Sequence, residues 1–182
     1  MTARTRSAVA QAALSAVVFG AVAYTRAQSA ATSSAGQLRQ VAYLKASNPV
    51  EDAHFGCGGT LTGHAGNASA ISADGSTLAI GAPHENSGAK GINGDQKNQS
   101  AEDTGAIYFF TRKGTTWTQT AYVKASNADS YDEFGSAMAL SKDGKLMAVG
   151  ARGEASAAKG INGNQNDNSA LGAGAVYIFS YR

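Results

Sequence analysis

The chain has 182 residues, of which 15 are Lys or Arg, 13 are Asp or Glu, 22 are Gly and only 2 are Pro. Low charge and many small, turn-forming residues favour short strands separated by polar turns over long amphipathic helices. The single cysteine, Cys57, excludes an internal disulfide and a cluster of thiolate metal ligands.

The N-terminal segment has the layout of a secretory signal. Arg4 and Arg6 precede an uncharged, largely apolar run over residues 7–25. A basic start, an apolar middle and small residues at the end are typical of an exported chain. We therefore predict a helical signal peptide over residues 1–27, followed by a linker over residues 28–37.

Export predicts where the protein acts and which partners it meets. Small residues place the cleavage after Ala23 or Ala27, and the mature protein is then secreted, periplasmic or on the cell surface. Membrane contact is expected only if the segment stays uncleaved. The segment carries 3 of the 15 basic residues and none of the 13 acidic ones, so the remaining chain is nearly neutral. A nucleic-acid partner is therefore not expected.

The rest of the chain contains an internal repeat. Residues 68–111 align with residues 137–180 at an offset of 69, and 23 of the 44 aligned positions are identical. Two further landmarks recur at an offset of 79, namely Lys-Ala-Ser-Asn from residue 45 and Phe-Gly from residue 55. The first copy therefore carries ten additional residues, 57–66. Self-similarity of this kind predicts units that bury their faces on one another.

The pattern predicts a repeat unit of four short strands. The second copy contains the first three, at residues 137–141, 145–151 and 174–180, with Asp143-Gly144 as the hairpin turn between the first two. The fourth strand type is residues 117–125 of the first copy, where polar and apolar residues alternate as they do in an edge strand.

Four-stranded units with buried inner strands and a wetter outer strand are typical of propeller blades. We therefore predict an all-β chain of about two four-stranded antiparallel blades in an incomplete ring, over residues 38–182. Blade one covers residues 53–126, and blade two covers residues 132–182 without its fourth strand. Residues 38–47 are expected to form a stray fourth strand that lacks the first three.

The order of the repeated motifs resembles a known family. Phe134-Gly135, a short apolar strand, Asp143-Gly144 and then Gly150-Ala151 resemble the FG-GAP repeat of integrin alpha-chain propellers, and the first copy has the same order. The later Gly-Ala-x-Tyr-x-Phe and Trp-x-x-x-x-Tyr-x-Lys-Ala-Ser-Asn stretches are similar to the bacterial branch of that family. The resemblance implies a propeller outside the cell that takes part in adhesion or ligand binding.

The chain departs from integrin-type blades at their calcium loop. That loop needs alternating oxygen ligands before the Asp-Gly turn, but these positions hold Ala70 and Ser72 in the first copy and Ala139 and Ser141 in the second. We therefore expect no metal site and no cofactor. The histidines lack ligand spacing and are interpreted as surface residues: His54, His64 and His84.

Long polar loops join the second and third strands of both copies, over residues 85–104 and 154–173. Loops of this length inside a compact unit are often functional. The first loop is either an oxygen-rich cation or glycan site or a structural loop that bonds to itself. Trp117, at the start of the fourth strand, either contacts a ligand or packs between blades. The candidate ligand-binding residues are Asn93, Asp95, Asn98, Glu102, Asp103 and Trp117.

The sequence contains no Ser-His-Asp order, paired acidic motif, phosphate-binding loop or nucleophile elbow, so we predict no catalytic residues and no enzymatic activity. The predicted function is binding or adhesion to an unknown protein or glycan. One alternative is a structural or non-functional fragment of a larger surface propeller protein. Another, which the residues support least, is a carbohydrate-active enzyme on a propeller scaffold. Open blade edges also favour self-association.

Overall fold

Short apolar runs bounded by Gly, Asp, Asn and Ser form nine strands in the computed structural model, which describes residues 38–59 and 65–182. No helix occurs within these residues. The predicted signal peptide and linker lie outside them. The strands are β1 (Gly58–Gly59), β2 (Ala65–Gly66), β3 (Ser69–Ile71), β4 (Thr77–Ala82), β5 (Ala106–Lys113), β6 (Thr116–Val123), β7 (Phe134–Leu140), β8 (Leu146–Ala151) and β9 (Ala175–Ser180).

The strands form antiparallel sheets in the order that the repeat predicts. Blade one is a four-stranded sheet in the order β3-β4-β5-β6, and blade two is a three-stranded sheet in the order β7-β8-β9. The additional residues of the first copy contribute a short ribbon, in which β1 pairs with β2. The all-β prediction is therefore confirmed, and the strands that the structure describes do not close a ring.

The strand register of blade one shows where the repeated Gly-Ala and Tyr motifs lie in the sheet. Ile80 pairs with Tyr108 and Gly81 with Ile107, so β4 and β5 form the buried centre of the sheet. β6 lies at the edge, and its burial alternates over most of its length, as expected for a strand with one wet face. The two long loops, one after β4 and one after β8, therefore lie at the same end of the blades, and the Asp-Gly turns lie at the other end.

The structure has two apolar clusters, of which the first joins the two blades. In it, Ile107 and Phe109 of β5 pack with Met147 and Val149 of β8. On the other face of blade one, Tyr108, Phe110 and Tyr122 form a second cluster with smaller residues near the start of the described chain. Each fully buried apolar side chain contributes about 1.5–3 kcal/mol relative to its exposed state, so blade stacking is a major source of stability.

Residues 38–47 differ from their expected conformation. They match the sequence of β6 but form no strand, because a β-strand needs hydrogen bonds from a neighbouring strand and none lies beside them in the structure. Ala46 is buried in the second cluster, whereas Val41, Tyr43 and Lys45 are exposed. Within the described part of the chain, the sequence of a fourth strand is thus present without a strand edge with which it pairs.

Candidate functional site

Both long polar loops begin at a buried glutamate. Glu85 follows β4 and is completely buried, and Glu154 follows β8 and is 3% exposed. A buried carboxylate is stable only when hydrogen bonds or an opposite charge satisfy it. The Glu85 carboxylate meets this need through Oε2, which accepts from Lys124 Nζ at 2.9 Å and from Ser87 N at 3.1 Å.

Asn48 ties the Glu85 carboxylate to the rest of the first loop. Its Nδ2 donates to Glu85 Oε1 at 3.0 Å and to the backbone oxygen of Gln96 at 3.1 Å. Its Oδ1 accepts from the Tyr108 hydroxyl at 2.5 Å. Burial, followed by the negative charge of Glu85, raises the pKa of Tyr108 well above its usual value. One amide therefore fastens the start and middle of the loop to β5.

The second loop repeats this arrangement. Asn127 Nδ2 donates to Glu154 Oε1 at 3.0 Å and to the backbone oxygen of Gln165 at 2.9 Å. The Tyr177 hydroxyl donates to Asn127 Oδ1 at 2.5 Å, and burial raises the pKa of this tyrosine as well. The same four residue types, Glu, Asn, Gln and Tyr, thus hold both loops in place, so each loop has a defined conformation within its blade.

Lys124 links the first loop to the end of β6. Its ammonium is fully buried and donates to Glu85 Oε2 and, at 2.6 Å, to Thr104 Oγ1. Burial lowers the pKa of Lys124, and the neighbouring Glu85 carboxylate opposes this shift. The lysine therefore neutralises a carboxylate that would otherwise be buried as an unpaired charge.

Blade one and blade two meet in a polar contact, the seam, at the end of the blades that carries the long loops. The Tyr131 hydroxyl donates to Glu102 Oε2 at 2.6 Å, and this bond, with the charge of Glu102, raises the pKa of Tyr131. His84 Nδ1 lies 3.1 Å from Asp103 Oδ1. Backbone bonds from Tyr131 N to Glu102 O and from Glu133 N to Asp103 O join the blades at the same place.

The six predicted ligand-binding residues do not come together in one site. Glu102 and Asp103 lie together at the seam, and Trp117 lies near the opposite end of blade one, half-buried against the second cluster with the Arg112 guanidinium 5.7 Å from its ring. Asp95 is exposed, and its Oδ1 accepts from Lys97 N.

The remaining two predicted residues shape the loop itself. Asn93 has a φ of 57° and exchanges two hydrogen bonds with the backbone of Tyr122, through its Oδ1 and its own N–H. Asn98 Oδ1 accepts from Ser100 N in a local turn. These contacts match the structural interpretation of the loop and leave much of each side chain exposed.

The histidines and the Asp-Gly turns are the places where a metal ion would be sought, and the structure gives their contacts. His54 and His84 are half-buried with ring centroids 4.6 Å apart, so their interpretation as surface residues is wrong, and His64 lies outside the described residues. Asp74 Oδ1 accepts from Ser72 Oγ, Ser76 N and Ser76 Oγ, which lowers its pKa to about 2. Within the described part of the chain, no three His, Cys, Asp or Glu side chains form a metal-binding group.

The buried network was missed by reasoning from sequence, although the sequence contains a signal for it. Glu85 and Tyr108 recur as Glu154 and Tyr177 at the first offset, and the Lys-Ala-Ser-Asn segment recurs at the second. Identical polar residues at apolar strand ends are unusual, because burying them costs free energy unless they are paired. Their recurrence could have been interpreted as a buried network.

Comparison with known proteins agrees with the fold. The family model of the FG-GAP repeat matches residues 117–179, which span β6 to β9. No curated protein and no solved structure matches the chain. Among the described residues, no helix is long and apolar enough to span a membrane. The family match and the strand order together identify residues 117–179 as an FG-GAP repeat.

Proposed function

We propose that this chain is an extracellular or periplasmic FG-GAP propeller module that binds a protein or glycan through its two polar loops. The proposal assigns it to adhesion or ligand binding and gives it no catalytic role. The observation that supports it most is the repeated network of Glu, Asn and Tyr, which holds both loops against rigid sheets at the same end of the blades.

Fixed loops suit recognition because little conformational entropy is lost when they bind. Short turns already order the exposed stretches, with Asp95 bonded to Lys97 N and Asn164 to Asn166 N. Binding residues are commonly carried on loops that a rigid scaffold positions. The two loops therefore present a preorganised polar surface.

The composition of the loops suggests the class of ligand. Across the two loops, exposed amide and hydroxyl side chains outnumber exposed charged ones, which suits hydrogen bonding to glycan hydroxyl groups or to a polar protein surface. The two buried glutamates are already bonded to amides and, in blade one, to Lys124. These contacts support structural roles for both carboxylates, and hence binding over catalysis.

Binding can be tested with a panel of immobilised glycans and extracellular-matrix proteins. The matched variant combines Lys97→Ala with Asn166→Ala, because these exposed residues occupy the same repeat position in the two loops. Loss of two polar contacts should weaken binding about tenfold. Lys113→Ala, at the far end of β5, should leave it unchanged. No binding across the panel, or equal effects of the loop and control variants, would contradict the proposal.

A further inference from the structure

Blade two carries an open groove beside its last strand. We define the blade-two groove by β9, Glu154 and residues 160–163 of the second loop. With Gly91, Ile92, Lys124 and Ser126 of blade one, they line an open space of about 1100 Å³. One wall is the outer edge of β9, with which no strand of the described residues pairs. An exposed strand edge is a template for a further strand, since its N–H and C=O groups lack partners.

Blade one shows what occupies the same place there. Its β6 pairs with β5 on one side and with the first loop on the other, where Asn93 N donates to Tyr122 O at 2.7 Å and Lys124 N to Gly91 O at 2.8 Å. The second loop has the same Gly-Ile-Asn sequence, and Asn162 has the φ of 57° that Asn93 has. The loop is therefore preformed to receive a strand like β6.

Charge at the end of the groove is also incomplete. Glu85 in blade one accepts from Lys124, which is the lysine of a Lys-Ala-Ser-Asn segment. Glu154 occupies the matching position, and among the described residues no lysine forms an ion pair with it. A strand that ends in a lysine at the matching register would supply the missing cation.

The apolar face of blade two next to the groove is exposed. Val176 and Ile178 of β9 are 69% and 67% exposed, whereas Ile107 and Phe109 at the same repeat positions of β5 are 0% and 4% exposed. Blade two covers the face of blade one that holds Ile107 and Phe109. The matching face of blade two therefore has the composition of a blade interface.

A second molecule carries a segment that fits all three features. Residues 38–47 resemble β6 in sequence and place Tyr43 and Lys45 at the positions of Tyr122 and Lys124. Both are exposed, although Asn48 is anchored on blade one. Lys124 bonds to Glu85 of blade one, whereas Asn127, three residues later, bonds to Glu154 of blade two. Because Asn48 bonds to blade one, the same geometry directs Lys45 to a blade on the side of blade one opposite to blade two.

We propose that residues 38–47 of one molecule add to β9 of a second molecule as its fourth strand, with Lys45 paired to Glu154. The contact is head to tail, because one molecule offers its segment and the other its groove. Such contacts repeat with a constant rotation and give a ring where that rotation closes. The inference concerns assembly and is independent of the ligand proposed above.

Sedimentation velocity of the full chain over a range of concentrations tests the proposal. The wild-type chain should associate reversibly, and Lys45→Glu should weaken association at least about tenfold, because it sets two carboxylates against each other. Lys113→Glu makes the same charge change at an exposed site outside the groove and should have no effect. A monomer at tens of micromolar, or association insensitive to Lys45→Glu, would overturn the proposal.

A second variant tests the blade contact itself. A Cβ at Gly81 would lie 2.3 Å from Gly135 O of the next blade, whereas at Gly150, the matching position of blade two, it would meet only Ala137 at 3.6 Å. Gly150→Ala should therefore fold normally, as judged by circular dichroism and melting, but associate at least about tenfold more weakly. Unchanged association of a folded Gly150→Ala chain would also count against the proposal.

Discussion

Gly81 of β4 faces the backbone carbonyl of Gly135 at the start of β7, so closely that a Cβ on Gly81 would lie 2.3 Å from that oxygen. One glycine comes from the Gly-Ala motif of blade one and the other from the Phe-Gly motif of blade two. The landmark glycines of the repeat are therefore required where neighbouring blades touch.

This contact predicts that the same substitution has different effects in the two copies. Gly81→Ala should lower the free energy of unfolding by about 3 kcal/mol, because the blades must move apart. Gly150→Ala should change it by less than about 1 kcal/mol, since its Cβ has ordinary van der Waals room. Urea unfolding at concentrations where the chain is monomeric measures both. Equal losses in the two variants would contradict the assigned role of Gly81.

The buried ion pair predicts a large effect at Lys124. Lys124→Met should destabilise the chain by about 3–5 kcal/mol, because Glu85 is left buried without its cation. Adding Glu85→Gln should recover part of this loss, since the buried charge is then removed. Lys45→Met is the matched control and should have little effect on a monomer, because Lys45 is exposed. Chemical denaturation of the wild-type chain and the three variants measures these changes. A nearly unchanged free energy of unfolding for Lys124→Met would contradict the assigned role of the ion pair.

The buried tyrosines predict loss of stability at alkaline pH. Burial raises the pKa of Tyr108, Tyr122 and Tyr177 above the ordinary value of 10.0. The stabilisation from keeping them neutral is complete below about pH 10 and is lost as pH rises through their folded pKa values. The free energy of unfolding should begin to fall near pH 10 and should continue to fall at higher pH.

Tyr177→Phe separates this effect from general alkaline damage. At neutral pH it should cost about 1 kcal/mol, because Asn127 Oδ1 loses its donor. Above pH 10 its stability should fall less steeply than that of the wild-type chain, since one titrating group has been removed. Urea unfolding across this range gives the slopes, and identical slopes would argue against tyrosine linkage.

Calcium is expected to have little effect on stability. One oxygen of the Asp74 carboxylate, Oδ1, already accepts from Ser72 and Ser76, and Asp143 Oδ1 accepts from Ser141 Oγ and Lys145 N in the same way. Melting curves with millimolar calcium and with a chelator should therefore nearly coincide. A rise of many degrees with calcium would contradict this, and Asp95→Ala would then test whether the first loop holds the ion.

Export predicts a new N-terminus. The basic residues and apolar run before residue 26 indicate cleavage after Ala23 or Ala27. Mass spectrometry of the protein recovered outside the cytoplasm should find peptides that begin at residue 24 or 28. Peptides that begin at Met1 or Thr2 in a soluble cytoplasmic pool would contradict the prediction.

Local pattern and repetition were enough to predict the strands. Alternation along β6, the apolar run of β8 and the Asp143-Gly144 turn each depend on neighbours in sequence, and copies at constant offsets indicated that the units stack. The family match to residues 117–179 confirms the resemblance to the FG-GAP repeat. The strands predicted at residues 117–125, 137–141, 145–151 and 174–180 begin and end within three residues of the observed ones, whereas residues 38–47 form no strand and the β1–β2 ribbon was not predicted.

The tertiary structure alone decided which polar residues are buried together. Lys124 meets Glu85 across 39 residues of chain, and Tyr108 meets Asn48 across 60. It also assigned Asn93 to holding β6, although the sequence offered that side chain to a ligand. The repeat marks these polar side chains but does not identify their partners, which depend on the strand edges and loops that the stacked blades bring within hydrogen-bonding distance.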